Sequence, residues 1–276
     1  MKETNKNRMH KKSNRHLLWI AFCLTLAGMA WAQDLPANSS NATADLREHF
    51  GNSVLMHMNF DDTTTAQIAR DGLEEPLPKA SNSEVQYMTG VRGKALVPGK
   101  AFLTYDPGQE LHLSEGGAVA FWLNLVQFGE AAEIPSYFAV SLFAPDGLAF
   151  VGQLSGTVNA RKLHASVGLW IDKANVQLGA AGMGSTKGWV PEDWHLLVAN
   201  WKADTVEFSV DGMPPVRTAF KSPLSGTGGT KTVQLRVGDY NASSDEFAID
   251  EVIVFDKPLS ENDIDWLLQQ GTPIKK

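Results

Sequence analysis

WHLLVANWKADTVEFSVDG, Trp194 to Gly212, decides the fold of this chain. It reads as two strands joined by a tight turn. Val206, Phe208 and Val210 alternate with Thr205, Glu207 and Ser209, so one face is apolar and the other wet. Asp211-Gly212 supplies residues that tolerate positive φ, as a two-residue hairpin requires. The chain is then expected to return as a strand over 216–220. These features together describe a large antiparallel sheet.

Outward from this stretch, strands are expected at 54–60, 101–105, 118–126, 138–143, 148–154, 164–171, 176–178, 232–237 and 247–255. Pro107-Gly108, Gly116-Gly117, Pro145-Asp146-Gly147 and the glycines from 226 to 229 separate them. Short strands at this spacing indicate a sandwich or barrel. One helix is expected near the end. Ser260 caps it, Asp263 suits its positive N-terminus, Ile264, Leu267 and Leu268 form an apolar stripe, and Gly271 stops it.

Residues 1–32 read as a secretory signal peptide. Six basic residues precede the apolar run from Leu17 to Ala30, and Ala30-Trp31-Ala32 is a small-x-small cleavage site. Met9 is an alternative start. The apolar run is shorter than the roughly 20 residues a membrane span needs. Phe22 before Cys23 argues against a lipoprotein. Residues 33–51, with Pro36 and a Ser/Asn/Ala/Thr run, read as a linker, 52–271 as one domain and 272–276 as a tail.

Cleavage would leave 18 basic and 30 acidic residues, moving the formal charge from −7 to about −12. Such a balance argues against nucleic acid, which needs Lys and Arg for its phosphates, and against anionic membranes. It suits divalent cations. Cys23 is the single cysteine and leaves with the leader, so stability must come from the core. The Asn-x-Ser/Thr triplets at 38, 41 and 241 would matter only in a eukaryotic secretory pathway.

Five segments together carry a family resemblance. MHMNFDD at 56–62, GVRGKAL at 90–96, GAVAFWLN at 117–124, the 194–212 hairpin and FAIDEVIVFDKPLSENDI at 247–264 occur in the order seen in laminin-G-like (LamG-like) jelly rolls. The chain resembles that family over roughly residues 52–271. The resemblance implies an all-β, antiparallel jelly-roll β-sandwich of the concanavalin A-like lectin and glucanase kind, with a short C-terminal helix. It implies architecture more than chemistry.

The glucanase members of that superfamily carry acids at alternate positions of one strand, because only i, i+2 and i+4 share a face. Glu246 and Asp250 share a parity, but Ala248 stands between them and Glu251 is expected on the opposite face. The paired carboxylates of a glycosidase are therefore not found. No Gly-x-Ser-x-Gly elbow is present. His49, His57, His112, His164 and His195 fall in no zinc-binding spacing.

On the last strand, Phe247, Ile249, Glu251, Ile253 and Phe255 are expected on one face, and Ala248, Asp250, Val252 and Val254 on the other. Each apolar stripe then holds one carboxylate, which needs a partner. The resemblance implies a structural Ca²⁺ beside the first and last strands. Carried onto this chain, its ligands are Asp61 and Asp250, with Asp62 or Glu251 as further candidates. The alternative is that Asp61 caps a turn and Asp250 bonds to backbone.

Sugar sites pair aromatic faces with amides. Trp122 and Asn124 share a face with Ala118 and Ala120, compatible with a shallow cleft, and Tyr240-Asn241 sits on a loop before the last strand. The reading is a secreted or periplasmic, non-catalytic module that recognises a glycan or an extracellular protein. The alternatives are a diverged glycoside hydrolase or polysaccharide lyase, and a structural or adhesive surface protein.

Overall fold

The computed structural model describes residues 39–61, 63–76, 85–99, 102–108, 111–112, 115–124, 133–143, 148–157, 160–171, 174–185, 193–221, 233–238 and 247–271. Helix α1 (Ser39–Phe50) and a single 3₁₀ turn (Gly51–Ser53) lead into β1 (Val54–Met58) and the short β2 (Ile68–Ala69). Next come β3 (Gln86–Thr89), β4 (Lys94–Val97), β5 (Leu103–Tyr105) and β6 (Gly117–Asn124). Four long strands follow: β7 (Glu133–Phe143), β8 (Leu148–Thr157), β9 (Ala160–Ile171) and β10 (Ala174–Ser185). The chain closes with β11 (Trp194–Trp201), β12 (Thr205–Val210), β13 (Val216–Ala219), β14 (Gln234–Val237), β15 (Ala248–Phe255) and α2 (Glu261–Gly271).

Among the described residues the strands form two antiparallel sheets. The first has nine strands in the order β13-β12-β11-β6-β15-β1-β2, with β4 joining beside β15 and β3 pairing β4. The second has six, in the order β10-β9-β8-β7-β14-β5. Phe121, Leu123, Leu197, Phe208 and Val254 of the first sheet share one buried cluster with Tyr105, Val140, Leu142, Leu235 and Val237 of the second. The fold is an all-β sandwich, and strand alternation supplies its apolar layer.

The 194–212 stretch folds as its pattern dictates. Residues of β11 pair with β12 from Leu197↔Val210 to Trp201↔Val206, and with β6 from Trp194↔Asn124 to Trp201↔Gly117. Asp211 and Gly212 both take positive φ, 53° and 68°. The Met213 N–H donates to the Val210 carbonyl at 3.0 Å, closing the tight turn. Pro214 and Pro215 then delay the return, so β13 starts at Val216.

The outer face of the first sheet is covered. Ala118, Ala120 and Trp122 of β6 and Ile253 and Phe255 of β15 are buried under α1 and α2. Part of the segment read as a linker is in fact α1. Its apolar residues Ala42, Leu46 and Phe50 fall at i, i+4 and i+8, on one side of the helix, and all three are buried. Phe50 packs on Phe255, with ring centroids 4.9 Å apart, and His49 stacks on Trp266 of α2 at 4.4 Å. Burial of this stripe, not local propensity, makes the helix.

Helix α2 starts as expected. The Ser260 Oγ accepts the Asp263 N–H at 3.2 Å, and the Asp263 carboxylate accepts the Ser260 N–H at 2.9 Å. This is a reciprocal cap with Asp in place of Glu. Gly271 is the last helical residue, and a Cβ there would overlap the Trp122 ring.

Two outcomes follow. Leu46→Ala is expected to cost about 2–5 kcal/mol in urea unfolding, as a buried leucine does, whereas Arg47→Ala stays within about 0.5 kcal/mol. A neutral Leu46→Ala would mean that the segment is a tether. Burial pushes the Asp263 carboxyl up, but the Ser260 hydroxyl and N–H, with His49, outweigh it and hold the group below its ordinary value of 3.8. A depressed carboxylate contributes stability above the unfolded value, and that stability is lost as pH falls through the folded one. Asp263→Asn is therefore expected to be destabilised at about pH 7, with a deficit that shrinks as pH falls below the ordinary value of 3.8; a deficit independent of pH would contradict this.

Candidate functional site

The densest group of buried ionisable side chains among the described residues lies where the first and last strands meet the helices. His57, Asp250 and Glu251 are 0%, 0% and 6% exposed. Their arrangement comes from an irregularity in β15. Asp250 pairs with Trp122 and Ile253 with Ala120, so β15 spends three residues where β6 spends two. Glu251 takes φ 49°, and the extra residue makes a β-bulge.

The bulge shifts side-chain parity. Phe247 and Ile249 face the inter-sheet core before it, and Val252 and Val254 after it. Ile253 and Phe255 turn to the helix side. The expectation that Glu251 lies opposite Asp250 is thereby corrected: Glu251 lines the same helix-side cavity as Arg92, whose own N–H bonds Asp250.

The Nε2–H of His57 donates to Glu251 Oε2 at 2.6 Å. His57 Nδ1 lies 3.4 Å from Thr43 Oγ1 on α1. Thr43, His57 and Glu251 thus stand in the order of a nucleophile–base–acid relay. The long Thr–His contact and the complete burial of His57 leave no approach for a substrate. The row couples α1 to the sheet.

Asp250 accepts the N–H groups of Val91 at 2.8 Å, Arg92 at 3.3 Å and Glu251 at 2.8 Å. Burial, then the neighbouring Glu251, raises its carboxyl well above the ordinary range, against the pull of those three donors. A raised acid beside a second acid resembles a catalytic pair. At 0% exposure Asp250 meets no solvent, so its geometry is that of a clamp.

Asp61 mirrors it. Oδ1 accepts the Lys94 N–H and Oδ2 the Asn59 Nδ2–H, both at 2.9 Å. Together the two aspartates hold the 90–94 turn. A Cβ at Gly90 would overlap Asp250 Oδ2, and one at Gly93 would overlap Asp61 Oδ1. This accounts for both glycines of Gly-Val-Arg-Gly-Lys-Ala-Leu. Arg92 then reaches the carbonyl end of α2, donating to the Gln270 O at 2.7 Å and Oε1 at 2.9 Å.

Calcium wants six to eight oxygens. Here both oxygens of Asp61 and of Asp250 face N–H donors, which repel a cation. Among the described residues no three His, Cys, Asp or Glu side chains converge on one point. The pair Asp61 and Asp250 does not fit calcium on this donor set; Asp62 lies outside the described residues.

Trp122 and Asn124 do not line an open cleft. Trp122 is 5% exposed beneath the helices, and Asn124 is 1% exposed with Nδ2 donating to the Asp193 carbonyl at 2.9 Å. The small residues Ala118 and Ala120 make room for α1 and α2, not for a sugar. Tyr240 and Asn241 lie outside the described residues. His195 hydrogen-bonds within the sheet, its Nδ1 lying 2.7 Å from Asp211 Oδ2.

Similar solved structures are binding domains of botulinum neurotoxins. The serotype C1 domain superposes with a TM-score of 0.56 at 12% identity, over 80% of this chain and 53% of that one. The chain shares their fold. The serotype G domain gives 0.57 at 7% identity over 79% and 51%. A serotype DC domain solved in complex with rat synaptotagmin II gives 0.56 at 11% over 80% and 52%. The chain spans about half the length of these domains. No family model and no curated protein matches it. Among the described residues no helix is long and apolar enough to cross a membrane.

Addition of Ca²⁺ or EGTA is expected to leave the melting temperature unchanged, while Asp250→Ala, which strands the N–H groups of Val91, Arg92 and Glu251, costs about 1–3 kcal/mol. A melting temperature that rises with Ca²⁺ and falls with EGTA would restore the calcium reading.

Proposed function

We propose that the protein is a secreted, non-catalytic LamG-like module that recognises an extracellular protein or glycan. The observation that carries this reading is how the buried acids and histidine are used. His57, Asp61, Asp250 and Glu251 all bond to other parts of the fold, and Asp250, the one with the strongly raised carboxyl, is sealed. A hydrolase or lyase needs those groups at a cleft.

The exposed features favour a protein ligand. Met213 is 45% and Val216 37% exposed. Met213, Pro214 and Pro215 face Glu261, Ile264 and Asp265 of α2 across a groove of about 150 Å³. An apolar floor with an acidic rim suits a side chain bearing a positive charge on an aliphatic stem. The space is smaller than the roughly 300 Å³ at which small-molecule pockets begin. One similar domain was solved with a protein partner, synaptotagmin II, which supports recognition of protein as a use of this fold. A glycan would engage Tyr240 and Asn241.

The test is an array of extracellular proteins and glycans probed with the secreted chain, run beside a reducing-end assay. The expected result is saturable binding with no release of reducing ends, and loss of about tenfold or more in affinity on Met213→Asp at unchanged melting temperature. Release of reducing ends from any glycan would replace this reading with the hydrolase. Binding that ignores Met213→Asp but falls with Tyr240→Ala would move the site to Tyr240 and Asn241.

A further inference from the structure

We infer that the small cavity between the helices and the first sheet is a binding site for the tip of a primary alkylammonium group. The inference is independent of the recognition reading above and stands or falls apart from it. The cavity is part-open, with a volume of about 20 Å³, and its lining includes Trp122, Glu251 and Ile253 of the sheet, Trp266 and Gln270 of α2, and Arg92. Glu251 is 6% exposed. Its Oε2 is held by His57, whereas its Oε1 has no hydrogen-bond partner.

A buried acceptor left in that state is destabilising, and more so when charged. Something must therefore meet Oε1, and the cavity's size and lining select it. A space of this volume exceeds the roughly 10–15 Å³ that holds one water, and falls far below the several hundred of a sugar-sized pocket. A buried water needs two to four polar partners. Arg92 and Gln270 bond each other through Nε, Nη2, O and Oε1 and keep donors on Nη1 and Nε2, so a single water on Oε1 is the rival occupant, and it predicts no saturable heat with butylammonium. The remaining walls are indole and aliphatic. An ammonium nitrogen on Oε1, with its first methylenes against Trp122, Trp266 and Ile253, satisfies the acceptor and uses the aromatic faces. The positive charge of Arg92 is turned to the carbonyl end of α2, which offsets it. The part-open side lets an alkyl chain run out to solvent. The shared chemistry covers a free amine and a lysine side chain of a partner.

Calorimetric titration of the intact secreted chain with n-butylammonium chloride tests this, with tetramethylammonium chloride and 1-butanol as controls at constant ionic strength. Saturable binding of butylammonium alone is expected, weakened about tenfold or more by Glu251→Gln, which removes the charge and keeps the shape. A parallel titration with Nα-acetyl-lysine amide separates the sources: binding of both probes extends the site to lysine side chains, and binding of butylammonium alone assigns it to free amines. No saturable heat with butylammonium, equal binding of either control, or an unchanged affinity in a folded Glu251→Gln overturns the inference. If Glu251→Gln does not fold, butylammonium against 1-butanol on the parent chain decides it.

Discussion

The extra residue in the last strand, at Glu251, is the constraint on which the rest of this structure depends. A regular β15 would place Glu251 opposite Asp250, with one carboxylate in the inter-sheet core. Burying a lone carboxylate there is costly. The bulge instead lets Val252 and Val254 continue the core stripe begun by Phe247 and Ile249. Both carboxylates are then met on the helix side, by His57 and by the 90–94 turn. With that arrangement go the Gly90 requirement, the reach of Arg92 to the end of α2, and the seating of α1 over His57. One irregular residue thus organises strand, turn and both helices.

Much of the fold was legible in the sequence, and the parts that were not share a cause. Strict alternation in β6, β11 and β12, with Asp-Gly at the turn, gave the first sheet, and Ser260 with Asp263 gave the start of α2. These are local signals, each contained in a few residues. Helix α1 was missed because its stripe has three members, Ala42, Leu46 and Phe50, set in a Ser/Asn/Ala/Thr run. Its stability comes from Phe255 and Trp266, more than 200 positions away. The bulge was missed because an unbroken two-residue period also fits Phe247 to Phe255. Only the register against β6 reveals the extra residue.

The same distinction explains the candidate site residues. Asp250 and Glu251 are the carboxylates that the strand pattern leaves in need of partners; Asp250 bonds backbone N–H groups and Glu251 bonds His57, while Asp61, named only through the resemblance, accepts the Lys94 N–H. Trp122 was chosen because Ala118 and Ala120 beside it looked like a cleft floor. Small residues on a sheet face equally admit a packed helix, and here two helices fill that place. His57 carried no spacing signal, because its partner Glu251 is 194 positions distant. The interior acid–base contacts tie strand, turn and helix together, and the exterior carries an apolar, acid-rimmed groove.

The account rests on His57 and Glu251 acting as one buried unit beneath α1. A double-mutant cycle in urea with His57→Phe, Glu251→Gln and the combined variant measures that directly. Coupling of at least about 1 kcal/mol is predicted, within the range for residues in direct contact. Additive single and double variants, with coupling within about 0.3 kcal/mol of zero, would contradict it and remove the bulge from the centre of the structure.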